Sequence, residues 1–204
     1  MKKQKCIFYI LLIAALWGLN SCGSSKPIQK YLLLPTAEYE NSSSETIDNS
    51  AITIAVGVIE FPEYLKSPQI VSFKNSNELF RDEYNRWASP LKENFEKVLI
   101  NDVSTYIPTN KISFYGSEMN EKNVYRINAI VSEFGLQADS SIILDARWGT
   151  TSEGISFTLD KRSSFSENGK GAGYNEQAKI MSMLTAKLAK EIADEIKLKF
   201  KAGK

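Results

Sequence analysis

Two prolines set just after a β-branched apolar run constrain this chain more than any other feature. Ile52 to Ile59 reads ITIAVGVI, and Pro62 and Pro68 follow. Alternation places Ile52, Ile54, Val56 and Val58 on one face of a strand and the small residues Thr53, Ala55 and Gly57 on the other. A second face that is small rather than charged leaves room for packing there too. Pro62 has no amide hydrogen and a fixed φ, so strand pairing ends near it. Pro68 holds Ser67 extended. The segment from Phe61 to Pro68 is therefore stiff, and it carries Phe61, Tyr64 and Leu65. It reads either as a crossover whose aromatics plug the core or as a preformed docking loop for a partner protein.

A second strand is expected at Gln69 to Lys74. Asn75-Ser76-Asn77 is turn chemistry, since Asn tolerates the left-handed region. Glu78 to Trp87 could continue as a helix striped by Leu79, Phe80, Tyr84 and Trp87, but the turn before it favours the return strand of a hairpin. Ser89-Pro90 reads as a helix start, with Ser as the N-cap and Pro at the first helical position. Leu91, Phe95, Val98 (with Leu99) and Asp102/Val103 recur at spacings of three and four, giving an amphipathic helix to about Tyr106 that ends before Pro108. Trp87 is expected to anchor the core beside it.

Further strands are expected at Lys111 to Tyr115, Val124 to Phe134, Ser141 to Trp148 and Ile155 to Phe165, with Gly149 to Gly154 as a hairpin loop. Ser166 to Gly173 (SENGKGAG) contains glycines and Lys170, yet it lacks the G-x-x-x-x-G-K-[ST] order of a phosphate loop, and it reads as a mobile link. Tyr174 to Phe200 is the second long helix, with Asn175 as candidate cap. Met181, Leu184, Leu188, Ile192, Ile196 and Phe200 form its apolar stripe. Lys197, Lys199 and Lys201 complement its C-terminal dipole. Strands with short hairpin links, interrupted and closed by helices, define an α+β fold: a mostly antiparallel sheet with two long helices packed on one face.

Ahead of this body lies a leader. Lys2, Lys3 and Lys5 form a positive stretch, and Ile7 to Leu19 is apolar but shorter than the roughly 20 residues a bilayer span needs. It ends in Leu19-Asn20-Ser21-Cys22, which resembles a bacterial lipobox despite Asn20, where Ala or Ser is more usual. The expected outcome is a signal peptide over residues 1–21, cleavage before Cys22 and lipidation of its thiol. The resemblance implies a diacylglyceryl thioether and an N-acyl chain such as palmitate. Gly23 is not the Asp that retains many lipoproteins at the inner membrane, so the outer membrane is favoured. Residues 22–30 read as a tether and 31–200 as one domain, in which Tyr31 to Leu34 reads as an edge strand stopped by Pro35 and Thr36 to Ser50 as a polar loop.

Composition narrows the chemistry. The chain has 204 residues and no histidine, with 25 basic and 24 acidic side chains. Losing the three leader lysines leaves 22 against 24, a net charge near −2, so nothing in the electrostatics calls for nucleic acid. Without histidine, Ser-His-Asp and Cys-His arrangements are impossible, and the commonest metal ligand is gone. Asp82/Glu83 and Glu93/Glu96 read as solvated carboxylate pairs. No cysteine cluster or calcium-loop spacing exists. No catalytic residue, metal or cofactor is therefore assigned, and no enzyme activity is expected.

Two patterns carry a family resemblance: V-x-V-x-x-x-P-x-Y-L-x-x-P-Q-I-V from Val56 to Val71, and R-W-A-x-P-L from Arg86 to Leu91. Ala146-Arg147-Trp148 and the Tyr-Leu-rich start at Tyr31 agree with them. The chain resembles the PqiC-type (YmbA-like) auxiliary lipoproteins of ABC-linked lipid transport systems in Gram-negative envelopes. The resemblance implies a lipid-anchored protein on the periplasmic face of the outer membrane, supporting envelope integrity by protein–protein contact. It implies an MCE-domain tunnel protein and an ABC transporter as partners, and a possible homo-oligomeric ring. Phe61, Tyr64 and Leu65 are then the candidate contact residues. The alternative is a stand-alone lipid- or glycan-binding envelope lipoprotein with an apolar pocket between helix and sheet.

Overall fold

The structure, a computed structural model, describes residues 26–37, 52–107, 109, 111–114, 123–152 and 158–202. The strands are β1 (Gln29–Tyr31), β2 (Thr53–Glu60), β3 (Gln69–Asn75), β4 (Glu78–Trp87), β5 (Ile112–Phe114), β6 (Val124–Leu136), β7 (Ser141–Ser152) and β8 (Lys161–Asn168). The helices are α1 (Leu91–Tyr106) and α2 (Tyr174–Ala202), and Glu63–Lys66 forms a single 3-10 turn. The α+β class is borne out, with the strands divided between two sheets. One has the order β1-β4-β3, the other β5-β2-β6-β7-β8.

The division follows from the prolines. Pro62 and Pro68 frame the 3-10 turn, which lifts the chain off the larger sheet after β2 and starts the β3–β4 hairpin beside it. Helix α1 then carries the chain back, so β5 and β6 lie parallel to β2 on either side of it. The hairpin neighbours β3–β4, β6–β7 and β7–β8 are antiparallel as expected. Glu78–Trp87 is the return strand rather than a helix.

The core lies between the larger sheet and the helix layer. Tyr125, Ile127, Ala129 and Val131 of β6 and Ile142, Leu144, Ala146 and Trp148 of β7 are buried there. The α2 stripe from Met181 to Phe200 is buried at every position named from the sequence, and so is Trp87. On the sheet side of α2, Glu191 contacts Ser163, whose hydroxyl also accepts from the Trp148 indole at 2.8 Å. One turn from the end, Lys199 Nζ donates to the Thr150 carbonyl at 2.8 Å.

Several local expectations are corrected. Val58 is 51% exposed and Ile59 is buried, because the register of β2 against β6 shifts between Val56 and Ile59. Asn128 stabilises that bulge: its Oδ1 accepts from the Val58 N–H at 2.9 Å. The first strand is Gln29–Tyr31 rather than Tyr31 to Leu34, because side chains elsewhere take the backbone groups of Leu33 and Leu34. Pro90, not Ser89, holds the cap position of α1, with φ −50° and ψ 129° and no side-chain cap bond. Helix α2 starts one residue before Asn175, and the Gly173 carbonyl closes its first turn by accepting from Gln177 N–H at 2.9 Å. Strand β7 runs on through Gly149 to Ser152. Gly149 is needed there because a Cβ would lie 2.2 Å from the Thr158 carbonyl oxygen. Strand β8 begins at Lys161 and extends to Asn168, into the expected link. The remainder of the expected hairpin loop and Ile155 to Phe157 lie outside the described residues.

Candidate functional site: the N-terminal strap and the proline segment

The extended chain Leu32 to Ala37 crosses the two helices as a strap. Its backbone polar groups need partners, since Leu33 is fully buried. Three helix side chains supply them. Asn94 of α1 accepts from Leu33 N–H at 2.7 Å and donates to Leu33 O at 3.2 Å. Ser182 of α2 accepts from Leu34 N–H at 3.0 Å, and its carbonyl accepts from Thr36 Oγ1 at 3.3 Å. Asp102 of α1 accepts from both Thr36 and Ala37 N–H at 3.1 Å.

Asp102 is wholly buried, and its second oxygen, Oδ2, has no hydrogen-bond partner among the described residues. Burial pushes its carboxyl up to about 6, against the opposing pull of the Ala37 and Thr36 amides. None of Asn94, Asp102 and Ser182 was singled out for chemistry in the sequence. The available signal was Asp102 itself, a carboxylate at an apolar position of the α1 stripe.

A second polar link ties the smaller sheet to α2. Asp82, at the irregularity in β4, accepts from Tyr84 and Asn85 N–H at 2.8 and 2.9 Å and from Tyr174 O–H at 2.7 Å. Burial would raise the Asp82 carboxyl, but these donors together hold it below its ordinary value. The Tyr174 phenol is pushed up to about 12 by burial and then by its bond to Asp82.

The proline segment divides between core and surface. Phe61 and Leu65 are buried. Phe61 packs edge-on against Phe95 and Phe134, with ring centroids 5.2 and 6.3 Å away, and those two rings are 5.4 Å apart. Both are committed to the core, as the crossover reading has it. Tyr64 is half-buried, stacked edge-on with Phe73 at 5.7 Å. Burial and then the neighbouring Glu133 raise its phenol above the usual value. Cys22, the expected lipidation site, lies outside the described residues.

Leu65, Ile70, Trp87, Phe134, Gln177 and Met181 line a crevice of about 280 Å³ that includes space open to solvent. Its enclosed part is only about 10 Å³, room for about one water and far too little for an acyl chain. Among the described residues there is no cluster of three metal-ligating side chains, and no helix is long and apolar enough to cross a membrane.

The body is thus a two-sheet α+β fold whose leading segment is clamped across its own helices. Residues 31–193 match the family described as the ABC-type transport auxiliary lipoprotein component, and the chain belongs to that family. The resemblance read at Val56–Val71 and Arg86–Leu91 is thereby borne out. The chain is 27% identical over 192 residues to the intermembrane transport lipoprotein PqiC of Escherichia coli, covering 93% of this chain and 97% of that protein, and the Shigella flexneri protein matches equally. Two crystal structures share the fold. One, of an uncharacterized protein, has TM-score 0.67 at 18% identity, covering 84% of this chain and 99% of its own. The other, from Xanthomonas campestris, has TM-score 0.55 at 12% identity, covering 82% and 91%.

Proposed function

We propose that this chain is a lipid-anchored auxiliary subunit of an ABC-linked lipid transport system, held on the periplasmic face of the outer membrane. It acts by contact with an MCE-domain tunnel protein rather than by catalysis. The observation that carries this reading is the near end-to-end match to a protein named for intermembrane transport, together with family membership over residues 31–193. Each acyl methylene buried at Cys22 adds about 0.8 kcal/mol, so several chains together hold the body firmly on the bilayer. Tyr64 is the part of the proline segment that can still meet a partner, because its ring is half-exposed while Phe61 and Leu65 are not. The crevice volume gives the stand-alone lipid-carrier reading no support.

The test is crosslinking in intact cells, then affinity capture of the lipidated protein and mass spectrometry. Recovery of an MCE-domain protein or an ABC transporter subunit is expected. Recovery of the chain alone with bound lipid would overturn the proposal in favour of a carrier. The same capture with Tyr64→Ala, in a protein of unchanged thermal stability, should recover less partner; undiminished recovery removes Tyr64 from the contact.

A further inference from the structure

We propose that the outward side of the N-terminal strap is a membrane-docking face, seated on the surface of the bilayer that holds the anchor. The inference rests on the lipidation of Cys22 put forward above.

The first observation is apolar exposure in one place. Ile28, Leu32 and Leu34 are 50%, 44% and 61% exposed. They occupy even positions of an extended chain, so they share a side, while Tyr31 and Leu33 turn inward. Met183, 43% exposed, directly follows Ser182, the residue that holds Leu34 N–H, so it borders the same side. Isolated exposed apolar residues need no explanation, but a group of them at the leading edge of the body does.

The second observation is reach. Ile28 is the sixth residue after Cys22, and an extended chain spans at most about 3.6 Å per residue, so their Cα atoms lie within about 22 Å of each other. The leading edge of the body is thereby confined to the neighbourhood of the bilayer surface, whichever way the rest of the body turns.

The third observation is charge. Lys26 and Lys30 are exposed on the same stretch, and residues 26–37 contain no acid. Lys179, one helical turn before Met183, is also exposed and only loosely paired with Glu176 at 3.9 Å. Lysines beside an apolar side suit a surface of anionic headgroups, with the apolar side chains entering the headgroup boundary to a depth of about 5–10 Å. The acids on the helices near the strap contacts are Asp102, which is buried and bonds the strap, Glu96, which is buried, and the exposed Glu93 and Glu176.

The orientation follows from the strap's contacts. The strap bonds to Asn94 and Asp102 on α1 and to Ser182 on α2, so it crosses both helices, and Ile28, Leu32 and Leu34 are the side chains it leaves facing solvent. Docking it on the bilayer turns the open face of the larger sheet, where Val58 is exposed, away from the membrane.

The experiment uses the mature lipidated chain in vesicles of phosphatidylethanolamine with a minor fraction of phosphatidylglycerol. Its Cys22 thiol is blocked by lipid, so a single cysteine introduced by Leu34→Cys, Met183→Cys or Val58→Cys can carry an environment-sensitive fluorophore. Brominated lipids should quench the labels at 34 and 183 by about twofold or more, as expected for shallow interfacial burial, and leave the label at 58 unquenched. Adding Lys26→Glu and Lys30→Glu should reduce quenching at 34. A lipidated, vesicle-bound chain whose labels at 34 and 183 respond no more than the label at 58 overturns the docking face alone. Labels at 34 and 183 that are shielded without lipid quenching, in a manner lost on dilution, would assign the side to a second copy and also overturn it. A chain with a free Cys22 thiol that does not float with vesicles overturns the anchoring reading on which the proposal stands.

Discussion

Asn94 grips Leu33 at both ends of its peptide, accepting from its N–H at 2.7 Å and donating to its carbonyl at 3.2 Å. A single helix side chain thus does for the strap what a neighbouring strand would do. Replacing it leaves two backbone groups of a fully buried residue without partners, each costing about 1–3 kcal/mol if water cannot reach it. Asn94→Ala should therefore lower unfolding stability by about 2–4 kcal/mol. Urea unfolding measures it, and a loss below about half a kcal/mol would mean that the strap is not held by this residue.

Asp102 makes the strap pH-dependent. Its folded-state pKa is raised to about 6 by burial, against an ordinary value of 3.8. The folded state thus binds the proton more tightly than the unfolded chain does. Its contribution is fully present below pH 4 and is lost as pH rises through about 6. In Asp102→Asn the side-chain oxygen can still accept from Thr36 and Ala37, and no charge is buried. Relative to wild type, this variant should gain about 2–3 kcal/mol between pH 4 and pH 7. Parallel stability curves for the two proteins across that range would refute the assignment.

What could be read from the sequence followed period and punctuation. The α2 stripe from Met181 to Phe200, the prolines that end β2, and the Asn75-Ser76-Asn77 turn all act through local rules, and each appears where those rules put it. The failures are tertiary. Val58 faces outward because Asn128, 70 residues away, stabilises a bulge, and Ser89 does not cap α1 because Pro90 takes that place. The stiff proline segment left a core plug and a contact surface both open, because stiffness does not say which way an aromatic ring turns; Phe61 and Leu65 turn inward. The strap was invisible for a related reason. Its partners Asn94, Asp102 and Ser182 lie 61, 66 and 148 residues from the backbone groups they bind.

Tyr174 joins the start of α2 to the smaller sheet through Asp82. Tyr174→Phe removes one hydrogen bond to a charged acceptor and should cost about 1.5–3 kcal/mol above pH 5. Asp82 is depressed below its ordinary pKa, so this contribution is present above the unfolded value and disappears as pH falls through the folded one. The same variant should lose the tyrosine that ionises near pH 12 in the wild-type ultraviolet titration. Persistence of that late-titrating phenol in Tyr174→Phe would assign it to another residue, with Tyr64 the alternative raised group.

Gly57 sits in the β2 bulge, where an added Cβ would lie 2.1 Å from Asn128 Oδ1 and 3.0 Å from the Ile127 carbonyl oxygen. The Asn128 side chain cannot simply swing aside. It accepts from Val58 N–H at 2.9 Å, and its Nδ2 is within 3.3 Å of Thr151 Oγ1. Gly57→Ala must therefore either break the bond that fixes the bulge or push β2 away from β6. Overpacking and a lost buried hydrogen bond together predict a destabilisation of about 2–4 kcal/mol. Asn128→Ala should make the Gly57→Ala change much less costly, because it removes the clashing atom. A double-mutant cycle by urea unfolding reads the coupling directly: a value of about 1 kcal/mol or more is expected, and strict additivity would mean that Asn128 does not set the bulge.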